Sequence, residues 1–161
     1  MCSRDCNGKF AKAMTNTDSG TPTSNFGVGM GLRDCNRNYV KAMTSIVSGT
    51  PTPNEVEACA LHSTIIWIKR LGLSNVVIET DCKTPVDCFQ ADTKNSIDFH
   101  VIFNSCRDLL SPISNFRVSF VKRHVNHVTH NLTRTSRFYV NFHVFDYILT
   151  CIIWHITNEI I

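Results

Sequence analysis

Along residues 56–71, small and apolar side chains return at steps of three and four (Val56, Cys59, Ala60, Ser63, Ile66, Trp67, Leu71), the period of a helix with one buried face. The run opens on Thr52-Pro53-Asn54-Glu55, which offers an N-cap hydroxyl, a proline for the first helical position and a glutamate to close a capping box. Gly72 supplies the stop. Residues 75–80 (NVVIET) then form a β-branched run, read as a buried strand that presents Asp81 at its C-terminal end. A strand placed there implies a parallel crossover.

Further on, residues 85–90 read as a short helix. Residues 97–110 keep the helical period through Ile97, Val101, Ile102, Cys106, Leu109 and Leu110, with Ser96 as the cap. Residues 116–122 alternate Phe116, Val118 and Phe120 against Arg117 and Ser119, a strand with one face buried. A final helix is expected at 126–136. Upstream, residues 26–33 (FGVGMGLR) and 39–44 (YVKAMT) read as two strands joined by a polar turn, which suits a hairpin. Gly27, Gly29 and Gly31 read as a bent, closely packed strand rather than a phosphate loop. An antiparallel meander followed by strands alternating with helices predicts an α/β fold, a mixed sheet with helices packed on it.

An internal repeat complicates the start of the chain. RDCNGKFAKAMTNTDSGTPTSN at 4–25 returns as RDCNRNYVKAMTSIVSGTPTPN at 33–54, an offset of 29 residues. Two copies are too few for a solenoid, so this is a local duplication. The second copy runs into the well-capped remainder and is taken as the native segment. The expected organisation is a duplicated segment at 1–25 able to supply a first strand, a domain at 26–137 and a tail at 138–161.

Composition narrows the class. With 161 residues, 43% hydrophobic and 18% charged, the chain suits one ordinary domain and not a disordered or fibrous protein. Eight cysteines without a C-x-x-C pair offer no zinc knuckle or thioredoxin-type motif. The polar start MCSRDCNGKF carries no signal-peptide core, so a reducing, intracellular setting is expected. The most apolar stretch, YILTCIIW at 147–154, falls short of the roughly 20 residues that span a bilayer, and no membrane partner is expected. The net charge of +3 decides little, but its distribution is informative. No acidic residue occurs between Asp108 and Asp146, while Arg117, Lys122, Arg123, Arg134 and Arg137 do, a basic band suited to phosphates. His124, His127 and His130 are spaced by three, but such histidines diverge around a helix and no cysteine lies nearby, which argues against zinc.

Several spaced blocks together resemble the ribonuclease H type 1 domain, in the short form of plant retroelement-derived and reverse-transcriptase-like proteins. GVGMGLRDCN at 27–36 resembles that family's glycine-rich second strand, EVEACAL at 55–61 its helix start, and VVIETDC at 76–82 its fourth strand. FVKRHVNHVTHNLTR at 120–134 resembles the closing strand and final helix, and the tail FDYILTCIIWHITNEII resembles plant versions. The resemblance implies a five-stranded mixed sheet and hydrolysis of the RNA strand of RNA/DNA hybrids with two Mg²⁺ ions. It also implies that Glu57 and Asp81 are the principal metal ligands and catalytic residues. Asp18, in TNTDSG at 15–20, is the candidate for the first-strand carboxylate, although the repeat pairs it with Val47 and the segment also reads as a copied third strand. His130 stands where active ribonucleases H often carry aspartate and is assigned an auxiliary catalytic role. Arg117, Lys122, Arg123 and Arg134 are the expected nucleic-acid contacts, in a monomer or a fragment of a larger protein. The alternative is a module of the same fold that binds nucleic acid without a working metal site.

Overall fold

The computed structural model describes residues 9–16, 25–49, 52–90, 100–139 and 141–158. Three antiparallel strands come first: β1 (Lys9–Asn16), β2 (Asn25–Asp34) and β3 (Tyr39–Ser48). The β2–β3 turn is held by the Asp34 carboxylate, which accepts from the backbone N–H groups of Asn36 at 2.9 Å and Asn38 at 2.8 Å while Arg37 takes a φ of 66°. There follow α1 (Pro53–Arg70), β4 (Val76–Thr80), α2 (Lys83–Gln90), α3 (His100–Leu110), β5 (Phe116–Phe120), α4 (His127–Thr135), β6 (His143–Phe145) and α5 (Thr150–Asn158). Ser96 and the first residues expected in α3 lie outside the described residues.

The sheet is six-stranded in the order β5-β4-β1-β2-β3-β6, with β1–β4 and β4–β5 parallel and the other pairs antiparallel. It has one strand more than the five expected, because the C-terminal segment adds β6 to the outer edge of β3, pairing Ala42 with Phe145 and Thr44 with His143. That segment is pinned by side chains as well as backbone. The Tyr39 hydroxyl lies 2.9 Å from the carbonyls of both Phe145 and Tyr147, and Lys41 pairs with Asp146.

The duplication explains the centre of the sheet. β1 and β3 are the two copies of the K-A-M-T strand, and both lie antiparallel against β2. Met30 of β2 is level with Ala13 on β1 but with Met43 on β3, and the repeat counterpart of Ala13 is Ala42. The copies therefore meet β2 one residue out of phase, and a one-residue slip exchanges the two faces of a strand. On β3 the consequence is visible: Met43 is buried with Met30, whereas Ala42 is buried on the opposite side.

Two cores result. One side of the sheet buries Val28, Met30, Leu32, Met43 and Ile78 against α1 and α3, whose contributions include Ile65, Ile68, Phe103 and Leu110. The buried face of α1 is turned from the expected one: Val56, Ala60 and Trp67 are buried as expected, but Cys59, Ser63, Ile66 and Leu71 are only partly so, and Ala58, Leu61, Thr64, Ile65 and Ile68 are buried in addition. The reason is that α1 is covered by α3 as well as by the sheet. The expected capping box is present: Thr52 Oγ1 accepts from the Glu55 N–H at 3.4 Å, and the Thr52 N–H donates to Glu55 Oε2 at 2.5 Å. Gly72, at φ 62°, ends the helix.

The other side packs Ala42, Val128, Leu132, Phe145, Leu149, Ile152 and Ile156 beneath α4 and α5. Here the glycines of β2 have a use. A Cβ on Gly29 would come within 2.7 Å of the Thr129 carbonyl oxygen and 2.8 Å of the Leu132 carbonyl carbon, so α4 sits nearly on the strand backbone. The facing side of α4 is correspondingly small and self-satisfied: Thr133 Oγ1 donates to the Thr129 carbonyl at 3.0 Å, and Ser136 Oγ to the Thr133 carbonyl at 2.7 Å. No helix among the described residues is long and apolar enough to cross a membrane.

Candidate active site

The C-terminal end of β4 is where the candidate residues gather. Thr80 closes the strand, its Oγ1 accepts from the Cys82 N–H at 3.2 Å, and Asp81 stands half-buried between them. Glu57 arrives from the second turn of α1, half-buried on the same side as Cys82. Both charges act on the Cys82 thiol. Burial pushes it above the usual thiol range, with the negative charge of Glu57 and then that of Asp81 adding in the same direction.

From the other side α4 contributes Asn126 and His130. Asn126 is fully buried at the N-cap position but makes no cap hydrogen bond. Its amide reaches Asp81 instead, with Nδ2 donating to Oδ1 at 3.4 Å, while its Oδ1 accepts from Thr129 Oγ1 at 2.5 Å. Asn126 thus links the candidate carboxylate to the helix face that lies on Gly29. His130 is held below the ordinary histidine pKa by burial first, then by Arg123 and Arg134, while Asp81 pulls the other way. The imidazole is neutral near pH 7, and its buried Nδ1 has no hydrogen-bond partner.

Of the four catalytic candidates, Asp81 acts electrostatically on His130, Glu57 acts with Asp81 on the Cys82 thiol, and Asp18 lies outside the described residues. The β1–β4 ladder sets Lys12 level with Glu79, and continuing it by two residues brings Met14 level with Asp81. Among the basic candidates, Arg117 is exposed on β5, and Lys122 and Arg123 are exposed in the turn that follows it. Arg134 is exposed on α4, one helical side with His127 and His130. Sequence reasoning missed Asn126 and Thr129. The signal was an asparagine at a helix start, which reads as an ordinary cap until its buried partner across the sheet is known.

The chemistry of this set fits one hard divalent cation. Mg²⁺ is commonly held by one or two carboxylates, with water and substrate phosphate completing the shell, and Glu57 and Asp81 provide such a pair. A neutral imidazole is a poorer ligand for it. Among the described residues no group of three or more His, Cys, Asp or Glu side chains is gathered closely enough to hold a metal ion, so Glu57 and Asp81 would hold one only with water and substrate oxygens completing the shell.

An antiparallel meander feeding parallel strands, with a carboxylate at the end of β4, a second on α1 and a helix laid across the glycine strand, defines the fold of the ribonuclease H class. RNase H1 of the halophilic archaeon Halobacterium salinarum NRC-1 superposes with a TM-score of 0.67, at 18% identity, over 80% of this chain and 97% of that one. LC11-RNase H1, isolated from compost and solved in complex with an RNA/DNA hybrid, gives 0.69 at 15% identity, over 80% and 95%. The N-terminal RNase H domain of a Mycobacterium tuberculosis protein gives 0.68 at 15% identity, over 80% and 92%. These likenesses are of fold. No curated protein matches the sequence. The family model described as reverse transcriptase-like matches residues 12–136, and the chain belongs to that family.

Proposed function

We propose that this protein is a Mg²⁺-dependent nuclease that hydrolyses the RNA strand of RNA/DNA hybrids, with Glu57 and Asp81 holding the metal. The observation that carries the reading is the reverse transcriptase-like fold, with Asp81 directly after β4 and Glu57 on α1 at the positions the resemblance assigns to carboxylates. A bound Mg²⁺ supplies charge stabilisation for the phosphoryl group under attack and lowers the pKa of water. Asp18 is the proposed further ligand for a second ion. Arg117, Lys122, Arg123 and Arg134 are exposed cations that draw the phosphate backbones in, and a hybrid is then read by shape and 2′-hydroxyls. His130, on which Asp81 acts electrostatically, is the proposed auxiliary group.

One observation favours a second reading. His130, which acts on the same site as Asp81, adds no negative charge to it. On that reading the module binds hybrids without cleaving them. A labelled RNA/DNA hybrid incubated with the protein and Mg²⁺ separates the two. Cleavage of the RNA strand that falls at least about a hundredfold in Asp81→Asn and Glu57→Gln supports the nuclease. Salt-sensitive binding without turnover supports the binding module, and absence of binding at low salt contradicts both.

A further inference from the structure

β6 ends the sheet on the side away from β5, and it pairs only with β3. Tyr39 of β3 holds it in place, its hydroxyl donating toward the carbonyls of Phe145 and Tyr147. Backbone groups in an antiparallel ladder point alternately to the two edges of a strand, so the N–H and C=O of Val144 and Asp146 turn outward, where no strand lies among the described residues. Side chains alternate between the faces. Phe145 is buried in the second core and Val144 packs against the first, so Phe142, Val144 and Asp146 share the α1 side of the sheet.

An open edge is a template for another strand, and native proteins blunt it with charges, proline or a bulge. Residues 141–147 (NFHVFDY) hold no proline, and their one acid is Asp146. Its side chain is 72% exposed although it pairs with Lys41. At the other end of the strand, Phe142 is 46% exposed and the Arg70 guanidinium lies 5.9 Å from its ring centroid. An antiparallel strand that meets Val144 with its own Val144 sets Phe142 opposite Asp146 at both ends. Arg70 of each copy is then brought beside the Asp146 carboxylate of the other, and Phe142 and Val144 of the two copies form one apolar row. The edge is thus complementary to itself in hydrogen bonding, apolar contact and charge. The β5 edge is not, since FRVSF carries Arg117 and runs on to Lys122 and Arg123 without a carboxylate.

We infer that β6 is a self-association edge, through which two copies of this chain join around a twofold axis at Val144 into one continuous sheet, with Arg70 of each copy paired to Asp146 of the other. The dimer takes the place of the monomer expected from the sequence. It is independent of the proposed nuclease, because β1, β2 and β3 separate β6 from β4 and leave the candidate site of each copy open.

Sedimentation equilibrium of the full chain over a range of roughly 1 to 300 µM tests this. So short a strand supports a weak dimer, with a dissociation constant on the order of tens of micromolar. Arg70→Glu and Asp146→Arg each weaken it at least about tenfold, and the double variant, which exchanges the two charges, returns to within about threefold of the unsubstituted chain. That recovery distinguishes a contact across the axis from the loss of Lys41–Asp146 within one chain, which the double variant does not repair. Amide exchange reads the backbone: the Val144 N–H exchanges more slowly at high protein concentration than at low. A chain that stays monomeric throughout, a dimer indifferent to both single reversals, or a double variant no tighter than the singles overturns the inference.

Discussion

Gly29 and Gly31 stand two residues apart on one strand and face the same helix, yet they differ in how much room is left. The atoms that a Cβ on Gly29 would strike are backbone atoms of Thr129, Leu132 and Thr133, which cannot rotate aside. At Gly31 the nearest atom is a Val128 methyl at 3.7 Å, an ordinary contact. Gly29→Ala is accordingly expected to lower unfolding stability by about 3 kcal/mol, because α4 must lift from β2, and Gly31→Ala by less than about 1 kcal/mol. Chemical denaturation of the two variants checks this, and equal losses would contradict the close approach of α4. The glycines were legible in the sequence as a tightly packed strand. What packed on them was not, because Thr133 and Ser136 look polar until their hydroxyls are seen to be satisfied by carbonyls of the preceding helical turn.

At the scale of elements, the two copies of the duplicated strand diverge where their surroundings differ. Tyr39 begins the second copy where the first has Phe10, and only Tyr39 lies at the position that meets the β6 segment. Burial first, and then the charge of Asp146, push its hydroxyl pKa up to about 12, so it remains a protonated donor to the carbonyls of Phe145 and Tyr147. Tyr39→Phe, which restores the residue of the first copy, is expected to cost about 1 kcal/mol, seen as a lower denaturant midpoint with an unchanged slope. No loss would mean that the C-terminal segment is held by β6 pairing and Lys41–Asp146 alone. Elements with strong local signals were legible: α1 from its cap and stop, β4 from its β-branched run, and β5 from alternation, although of its expected buried face only Val118 is buried while Phe116 and Phe120 are exposed. β6 was not, since three residues show no period and gain their structure from the β3 edge. The register of β1 was equally hidden, because a copied sequence does not say which of its two faces a neighbour will bury.

For the whole molecule, the charge pattern and the fold point to one surface. Asp81 at the end of β4 and the cations Arg123 and Arg134 act on the same imidazole, His130 of α4, so on the proposed function the phosphate contacts lie beside one of the carboxylates. Glu57 and Asp81 were singled out through the family resemblance alone, since a glutamate in the second turn of a helix and an aspartate after a strand are otherwise common solvated residues. The buried link from Asp81 through Asn126 to Thr129 was not legible, because it joins positions 45 residues apart across the sheet. The central claim is that Glu57 and Asp81 together hold a divalent cation. Titration with Mn²⁺, followed by the paramagnetic resonance of the free ion, tests it without recourse to cleavage. The account predicts uptake by the folded chain that weakens at least about tenfold in Asp81→Asn and in Glu57→Gln. A folded chain that takes up no Mn²⁺, or takes it up equally in both variants, would contradict it.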